Sequence, residues 1–208
     1  MPRPHPSSTH RPLVLLLQVL LLALGCAPAL AGRFSKVIID PGHGGEDKGG
    51  TIGYVFEKHL ALDVSLRLER YLKSKGISTD LTRRRDILIP LEDRSALANR
   101  SRNAILVSIH FNWVSYGGPS GTETWYYNSP GYTLANAIQT TIAAGLGLPS
   151  RGVKQARFKV IRTSAVPAAL VEGGFISTGK ERARILDPRY RQRLAELIGD
   201  GILRFRRL

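Results

Sequence analysis

Cysteine is almost absent: the 208 residues contain one, Cys26. That excludes a disulfide-stapled miniprotein and a cysteine-rich zinc module. Acidic residues are scarce as well, 16 against 30 Lys plus Arg, so the formal charge is +14. A surplus of that size raises nucleic acid, a membrane surface or an acidic polymer as partner, and charge alone does not choose among them. Long apolar runs are missing except for Leu13 to Leu24, interrupted by Gln18. A helix of that length spans roughly 18 Å against a hydrocarbon core of ~30 Å, which argues against a stable transmembrane span. There is no internal repeat, low-complexity tract or interdomain linker. What is present is 43% apolar and 22% charged residues, with Gly and Pro spread along the chain, a composition that fits one globular domain with a proper core.

The apolar run follows Arg3 and Arg11 with no acid between, and the small-residue sequence Ala29-Leu30-Ala31 comes after it. This reads as a signal peptide over residues 1–31, leaving a domain of residues 32–208. The competing reading is a lipoprotein with Cys26 as its lipidated first residue, to which Ala23-Leu24-Gly25 is a poor fit. Both readings export the domain, to the periplasm or cell envelope or as a secreted protein, and only the lipidated form would touch a membrane. Removing residues 1–31 takes away the cysteine and two positive charges. The basic excess therefore belongs to the domain.

Short β-rich runs alternate with longer helix-like segments, which predicts an α/β domain: a mostly parallel twisted sheet of about six strands with helices on both faces. The predicted strands are Lys36 to Asp40, Ile77 to Arg83, Ala104 to His110, Gly121 to Tyr127, Phe158 to Arg162 and Ala168 to Glu172. Leu60, Val64, Leu68, Tyr71 and Leu72 share one helical stripe that Gly76 would stop. Leu91, Ser95, Ala98 and Arg102 give a weaker stripe after Pro90. Leu134, Ile138, Ile142 and Leu146 mark a third helix, and Tyr190, Leu194, Leu197, Ile198, Ile202 and Phe205 a fourth. Thr178 and Glu181 have capping-box spacing and predict a short helix before Pro188.

Chemistry concentrates where strands end. Val37-Ile38-Ile39-Asp40 runs into Pro41-Gly42-His43-Gly44-Gly45, a turn whose glycines allow close backbone approach to a ligand. It lacks both G-x-x-x-x-G-K-[ST] and G-x-G-x-x-G, so a phosphate-binding loop is discounted. His110 ends the strand Ala104–His110, and Glu172 ends Ala168–Glu172. If those strands are parallel, His43, His110 and Glu172 meet at the carboxyl rim where open α/β sheets bind ligands. The plainer alternative is that each is a strand-end polar residue facing water. Glu57 opens the first helix, where a carboxylate is also expected on capping and dipole grounds. Together His43, Glu57 and His110 supply two imidazoles and a carboxylate, a set that suits Zn²⁺ with a fourth position for water, and Glu172 remains free for proton transfer. His59 falls on another helix face and reads as exposed.

In order along the chain, several segments resemble a known family. They are Asp40-Pro41-Gly42-His43-Gly44-Gly45, Glu57-Lys58, Leu81-Thr82-Arg83 with Asp86, and Leu91 with Arg94 and Ala98-Asn99. Ser108-Ile109-His110-Phe111-Asn112, Gly121-Thr122-Glu123-Thr124 with Tyr126-Tyr127, Arg151-Gly152-Val153-Lys154, and Pro167 through Ser177 complete the set. The domain resembles the zinc-dependent N-acetylmuramoyl-L-alanine amidases of the type 3 catalytic domain, over essentially residues 36 to 205. The resemblance implies one Zn²⁺ per chain held by His43, Glu57 and His110, with Glu172 as the catalytic carboxylate. Asn112, beside the second histidine, reads either as a substrate hydrogen-bonder or as a turn residue holding the loop. The resemblance also implies hydrolysis of the amide between N-acetylmuramic acid and the L-alanine of the stem peptide, with peptidoglycan as the partner; a monomer is expected. Phe111 stands where the family usually has a small residue, which would alter the pocket beside the metal. Thr178 replaces the usual Asn and is expected to cap the next helix. The stretch between His110 and Glu172 is too short for the helix that covers the zinc in division-type members, so the site is expected to be uncovered and no activator protein is indicated.

A non-cutting peptidoglycan-binding module would be expected to have lost one of the four site residues, and all four are present. Nucleic-acid binding is not expected, for want of any motif or basic-aromatic platform. A zinc peptidase or deacetylase shares the ligand set but not the ordered segments. The five cations Arg151, Lys154, Arg157, Lys159 and Arg162 read either as a rim attracting stem-peptide carboxylates or other wall anions, or as a charged, protected sheet edge.

Overall fold

The computed structural model describes Met1 and residues 34–101, 103–115 and 118–208. The signal-peptide and Cys26 readings lie outside the described residues. No helix among those described is long and apolar enough to cross a membrane. Residues from Phe34 onward belong to one unit, Ala31–Leu208.

Two strands are apolar nearly end to end because each is central and covered on both faces: β1 (Lys36–Pro41) and β5 (Ala104–Asn112). They pair in parallel, Lys36 beside Ala104 and Pro41 beside Ile109. β4 (Ser78–Leu81) extends the parallel sheet next to β1, and β8 (Ala168–Phe175) extends it next to β5. β6 (Thr122–Tyr126) then runs antiparallel to β8, and β7 (Ser150–Gln155) lies along β6 at the edge. The order is β4-β1-β5-β8-β6-β7. A separate hairpin pairs β2 (Thr51–Ile52) with β3 (Val55–Phe56).

Alternation along the strands divides the core in two. Val37, Ile39, Ile105, Val107 and Ile109 face a layer made by α1 (Glu57–Ser74), α3 (Ser129–Gly145) and α6 (Pro188–Phe205). Ile38, Leu106, Ala168 and Leu170 face the smaller cover of α2 (Leu91–Asn99) and α4 (Lys159–Arg162). α5 (Gly179–Leu186) packs beside β8 and α6. The predicted stripe of α1 is the buried one: Leu60, Val64, Leu68 and Leu72. Each such fully buried side chain contributes roughly 1.5–3 kcal/mol.

The α/β class, the mostly parallel six-stranded sheet and the helices on both faces agree with the sequence reading. Three details differ. Phe158–Arg162 is not a strand: Val160 and Ile161 are adjacent and both buried, which a helical turn allows and a half-buried strand does not. The sixth strand is instead the polar segment β7, which the alternation pattern hides because an edge strand needs little apolar surface. Leu91 is exposed on α2, and Arg94 turns inward in its place. Finally, Thr178 occupies the N-cap of α5 without making a side-chain cap. Its hydroxyl donates to the Gly118 carbonyl, and Glu181 reaches away from the cap to accept from the backbone N–H of Phe175 and Gly121.

Candidate metal centre and active-site cleft

Parallel pairing of β1, β5 and β8 brings their carboxyl ends to one rim, with His110 in register beside Glu172. The first turn beyond β1 adds His43, and the first residue of α1 adds Glu57. The side chains converge closely. Glu57 Oε1 lies 3.0 Å from His43 Nε2 and 2.8 Å from His110 Nδ1, and the two rings meet edge to face at 4.8 Å. One nitrogen or oxygen from each of these residues lies within 4.8 Å of the others.

The glycines of this region have a geometric reason. A Cβ on Gly42 would fall 2.4 Å from His110 Cε1, and one on Gly49 would fall 2.6 Å from both Glu57 Oε2 and the His43 ring. Bare backbone is what lets the two imidazoles and the carboxylate meet. His43 itself has φ 57°, a left-handed conformation unusual for a residue with a side chain. Two buried arginines hold the turn in place. Arg94 donates to Asp40 Oδ1 at 2.9 Å, the Pro41 carbonyl at 2.7 Å and the His43 carbonyl at 2.8 Å. Arg83 donates to the carbonyls of Pro41, Gly42 and Lys58. Burial, and then the neighbouring Arg94 charge, push Arg83 down to about 10, so it stays charged at neutral pH. Asp40 also accepts from Thr82 and Ser108. Lys58 joins Gly45 to Asp86, closing the far side of the loop.

Glu57 is saturated with donors: Gly50 N–H at 2.8 Å on Oε2, and Phe111 N–H at 3.1 Å on Oε1 beside the two rings. Burial opposes its charge, but contacts with His110 and His43 outweigh that and hold the carboxyl well below its ordinary 4.5. The fit to a metal follows from His43. Asp47 Oδ2 lies 2.8 Å from His43 Nδ1 and can only accept, which fixes the ring proton there in the neutral tautomer. An unprotonated Nε2 then faces the Glu57 carboxylate, lone pair against lone pair, an arrangement that a shared cation satisfies. Two imidazoles and one carboxylate are a donor set suited to catalytic zinc.

Glu172 is the opposite case. Its Oε2 is sealed from solvent and has no hydrogen-bond partner among the described residues. Burial, then the charges of Glu57 and Glu123, push its carboxyl well above 4.5. His43, His110, Glu57, Glu172 and Asn112 all line one cleft of about 580 Å³, together with the aromatic side chains Trp113 and Phe158. The cleft is open to water at the metal side, where the His43 and His110 side chains are 23% and 17% exposed. Among the described residues between His110 and Glu172, each helix and strand belongs to the sheet or its covering layers.

His59 is exposed, 3.3 Å from Asp86, and takes no part. Phe111 has its ring in the core and contributes a backbone N–H at the site. The residue that sequence reasoning left without a role is Glu123. Because β6 is antiparallel, its start, not its end, lies at the rim, and Glu123 pairs in register with Glu172. It is buried and accepts from Asn112 Nδ2 at 2.8 Å, so the acceptor-only carboxylate turns the Asn112 amide nitrogen inward.

A mostly parallel α/β sheet carries at its carboxyl rim a His-Glu-His cluster that could hold a metal ion and a glutamate whose Oε2 has no donor among the described residues, the layout of a hydrolase site. Comparison with known proteins makes this specific. The sequence pattern of the N-acetylmuramoyl-L-alanine amidase family matches residues 37–204, and the chain belongs to that family. It is 34% identical over 177 residues to the N-acetylmuramoyl-L-alanine amidase LytC of Bacillus subtilis (strain 168), covering 82% of this chain and 35% of LytC. The chain thus spans about a third of that relative's length. Among solved structures, an N-acetylmuramoyl-L-alanine amidase from Clostridium difficile 630 superposes with a TM-score of 0.79 at 38% identity, over 84% of this chain and 97% of that one. The amidase AmiC2 of Nostoc punctiforme superposes with a TM-score of 0.80 at 36% identity, over 86% and 99%.

Proposed function

We propose that this chain is a zinc-dependent peptidoglycan amidase that hydrolyses the bond between N-acetylmuramic acid and the L-alanine of the stem peptide. One observation carries the reading: two ring nitrogens converge on Glu57 Oε1 while Glu172, whose Oε2 has no donor among the described residues, sits in the same cleft. His43, Glu57 and His110 would hold one zinc ion. When bound, zinc supplies Lewis acidity, polarising a carbonyl and bringing the pKa of water toward neutrality. Glu172 takes a proton from the water that attacks the amide carbon and delivers it to the departing alanine nitrogen. Glu172 is only partly buried and lines the cleft, so its carboxyl meets the water there although Oε2 is sealed and without a donor among the described residues. Asp47 keeps the His43 proton on Nδ1, and Glu123 orients Asn112, whose Oδ1 is left to accept an N–H from the substrate. We assign the enzyme to the monomeric state and, reading residues 1–31 as a signal peptide, to the cell envelope, periplasm or medium.

The test is digestion of isolated peptidoglycan with the purified, zinc-loaded chain, followed by mass spectrometry. Free stem peptides beginning with L-alanine, together with intact glycan strands, are expected. Products cut within the glycan or within the peptide would overturn the assignment.

A further inference from the structure

The buried Glu123 carboxylate is shared three ways. Oε1 accepts from Asn112 in the cleft, while Oε2 accepts from Arg151 Nε at 2.9 Å and from Lys154 Nζ. Both cations stand on β7, the edge strand. They are not loose surface charges: the Arg151 guanidinium lies 5.4 Å over the Phe175 ring and the Lys154 ammonium 5.1 Å over Trp125. Nor are they sealed, since their side chains are 33% and 32% exposed. Two cations on one carboxylate leave a net positive charge, one residue removed from the cleft wall. Because Arg151 spends its Nε on Glu123, its two terminal nitrogens make no hydrogen bond among the described residues. They remain as a fork with the geometry that suits a carboxylate.

The chemistry of the substrate says what such a fork would meet. This step rests on the amidase reading above. Once the lactyl carboxyl of muramic acid is engaged in the scissile amide, the muramoyl side carries no charge, and the carboxylates of the substrate all lie on the peptide. We infer that Arg151 and Lys154, held by Glu123, form a carboxylate subsite that makes the enzyme selective for acidic stem peptides. Asn112 links this subsite to the catalytic rim: the hydrogen-bonded row runs from Arg151 through Glu123 to Asn112, which lines the same cleft as Glu172. Two of the other three cations of the run do different work: Lys159 pairs with Glu92 and Arg157 packs on Tyr127.

The experiment uses the zinc-loaded chain and two soluble substrates: N-acetylmuramoyl-L-alanyl-D-glutamyl peptides as free acids, and the same peptides with every carboxyl amidated. Wild type should favour the acid in kcat/KM by about threefold to tenfold, the range of a partly exposed charge-assisted contact. That ratio should fall toward one in Arg151→Gln and in Lys154→Gln, and in wild type at high salt. Each single variant keeps one cation on Glu123, and thermal melting verifies that it is folded. Equal kcat/KM for acid and amide in wild type, or a ratio unchanged in both variants, would overturn the subsite while leaving the amidase reading intact. Salt-dependent binding to sacculi that ignores peptide amidation would assign the cations to wall phosphodiesters and also overturn it. Failure to cleave either peptide would instead overturn the amidase reading.

Discussion

The two sides of the cleft hold the same side chain in opposite surroundings. On the side of β1 and α1, Glu57 is buried among four nitrogen contacts, two from rings and two from backbone N–H groups, and its loop is braced by Arg83 and Arg94. On the side of β8, Glu172 has a buried oxygen with no donor and two other carboxylates acting on it, Glu57 and Glu123. Environments that drive two carboxyl groups apart in this way divide their labour: one stays an anion that can ligate, the other can hold and release a proton. The difference also separates stability from activity. The Glu57 side is braced by backbone donors and buried arginines and leaves a contact between Glu57 and His43 that a cation satisfies, whereas the Glu172 side keeps a buried oxygen without a donor among the described residues.

The largest test of that division replaces one residue on each side. Glu172→Gln preserves shape and should lose about 10²- to 10⁴-fold in turnover, the usual worth of general acid-base help, while retaining zinc at one per chain. His110→Ala should lose the zinc itself. Metal analysis beside a muropeptide assay reads both outcomes. Near-normal cleavage by Glu172→Gln, or stoichiometric zinc in His110→Ala, would erase the distinction between the two sides.

A smaller effect, in stability, probes the bracing of the Glu57 side. Arg94→Met leaves Asp40 with only the Thr82 and Ser108 hydroxyls and removes the donor to the His43 carbonyl. Breaking a buried ion pair from one end typically costs about 3–5 kcal/mol. Urea unfolding of the metal-free protein should show a loss of that order, and a loss under about 1 kcal/mol, the level of an exposed pair, would mean that the turn holds its left-handed His43 by other means.

The same contrast explains what the sequence displays and what it hides. His110 and Glu172 end strongly apolar strands, and His43 follows a third, so their meeting needs only parallel pairing, which alternation of strands and helices already implies. Glu57 is readable because it opens the helix that follows the glycine-rich turn. Glu123 is not readable, because its position depends on β6 running backwards, and the pattern of Thr122 to Tyr126 is the same in either direction. Arg83 and Arg94 are hidden for another reason: hydropathy reads arginine as surface, and only the carbonyls of residues 41 to 43, which the fold turns inward, give them a place inside. Polar β7 is passed over because a charged edge strand lacks the apolar alternation that marks a strand, and Phe158–Arg162, with its apolar residues, reads as one in its stead. Thr178 and Glu181 have the spacing of a capping box, yet the buried N–H groups of Gly121 and Phe175 claim Glu181 first.

The smallest effect is the most direct measure of the unsatisfied side. In chelator-treated protein, Glu172 is neutral in both the folded and unfolded states below its ordinary value of 4.5, and it neither helps nor hinders folding there. As the pH rises past 4.5, the unfolded chain ionises while the folded carboxyl, raised by burial and by Glu57 and Glu123, keeps its proton. The folded state then binds more protons than the unfolded one, so the contribution of Glu172 to stability falls with pH until the folded carboxyl itself ionises. Glu172→Gln removes that penalty. The variant should match wild type near pH 4 and exceed it increasingly toward neutrality, by about 1–3 kcal/mol, the range for a buried group without its partner. For a domain of this size that is roughly 2–4 °C in Tm per kcal/mol. Glu57→Gln should run the other way, because its folded carboxyl is depressed: its stabilising contribution is present above 4.5 and disappears as the pH falls below it. Parallel pH profiles for the two variants would mean that the cleft treats both carboxylates alike, and opposite slopes would locate the stored strain at Glu172.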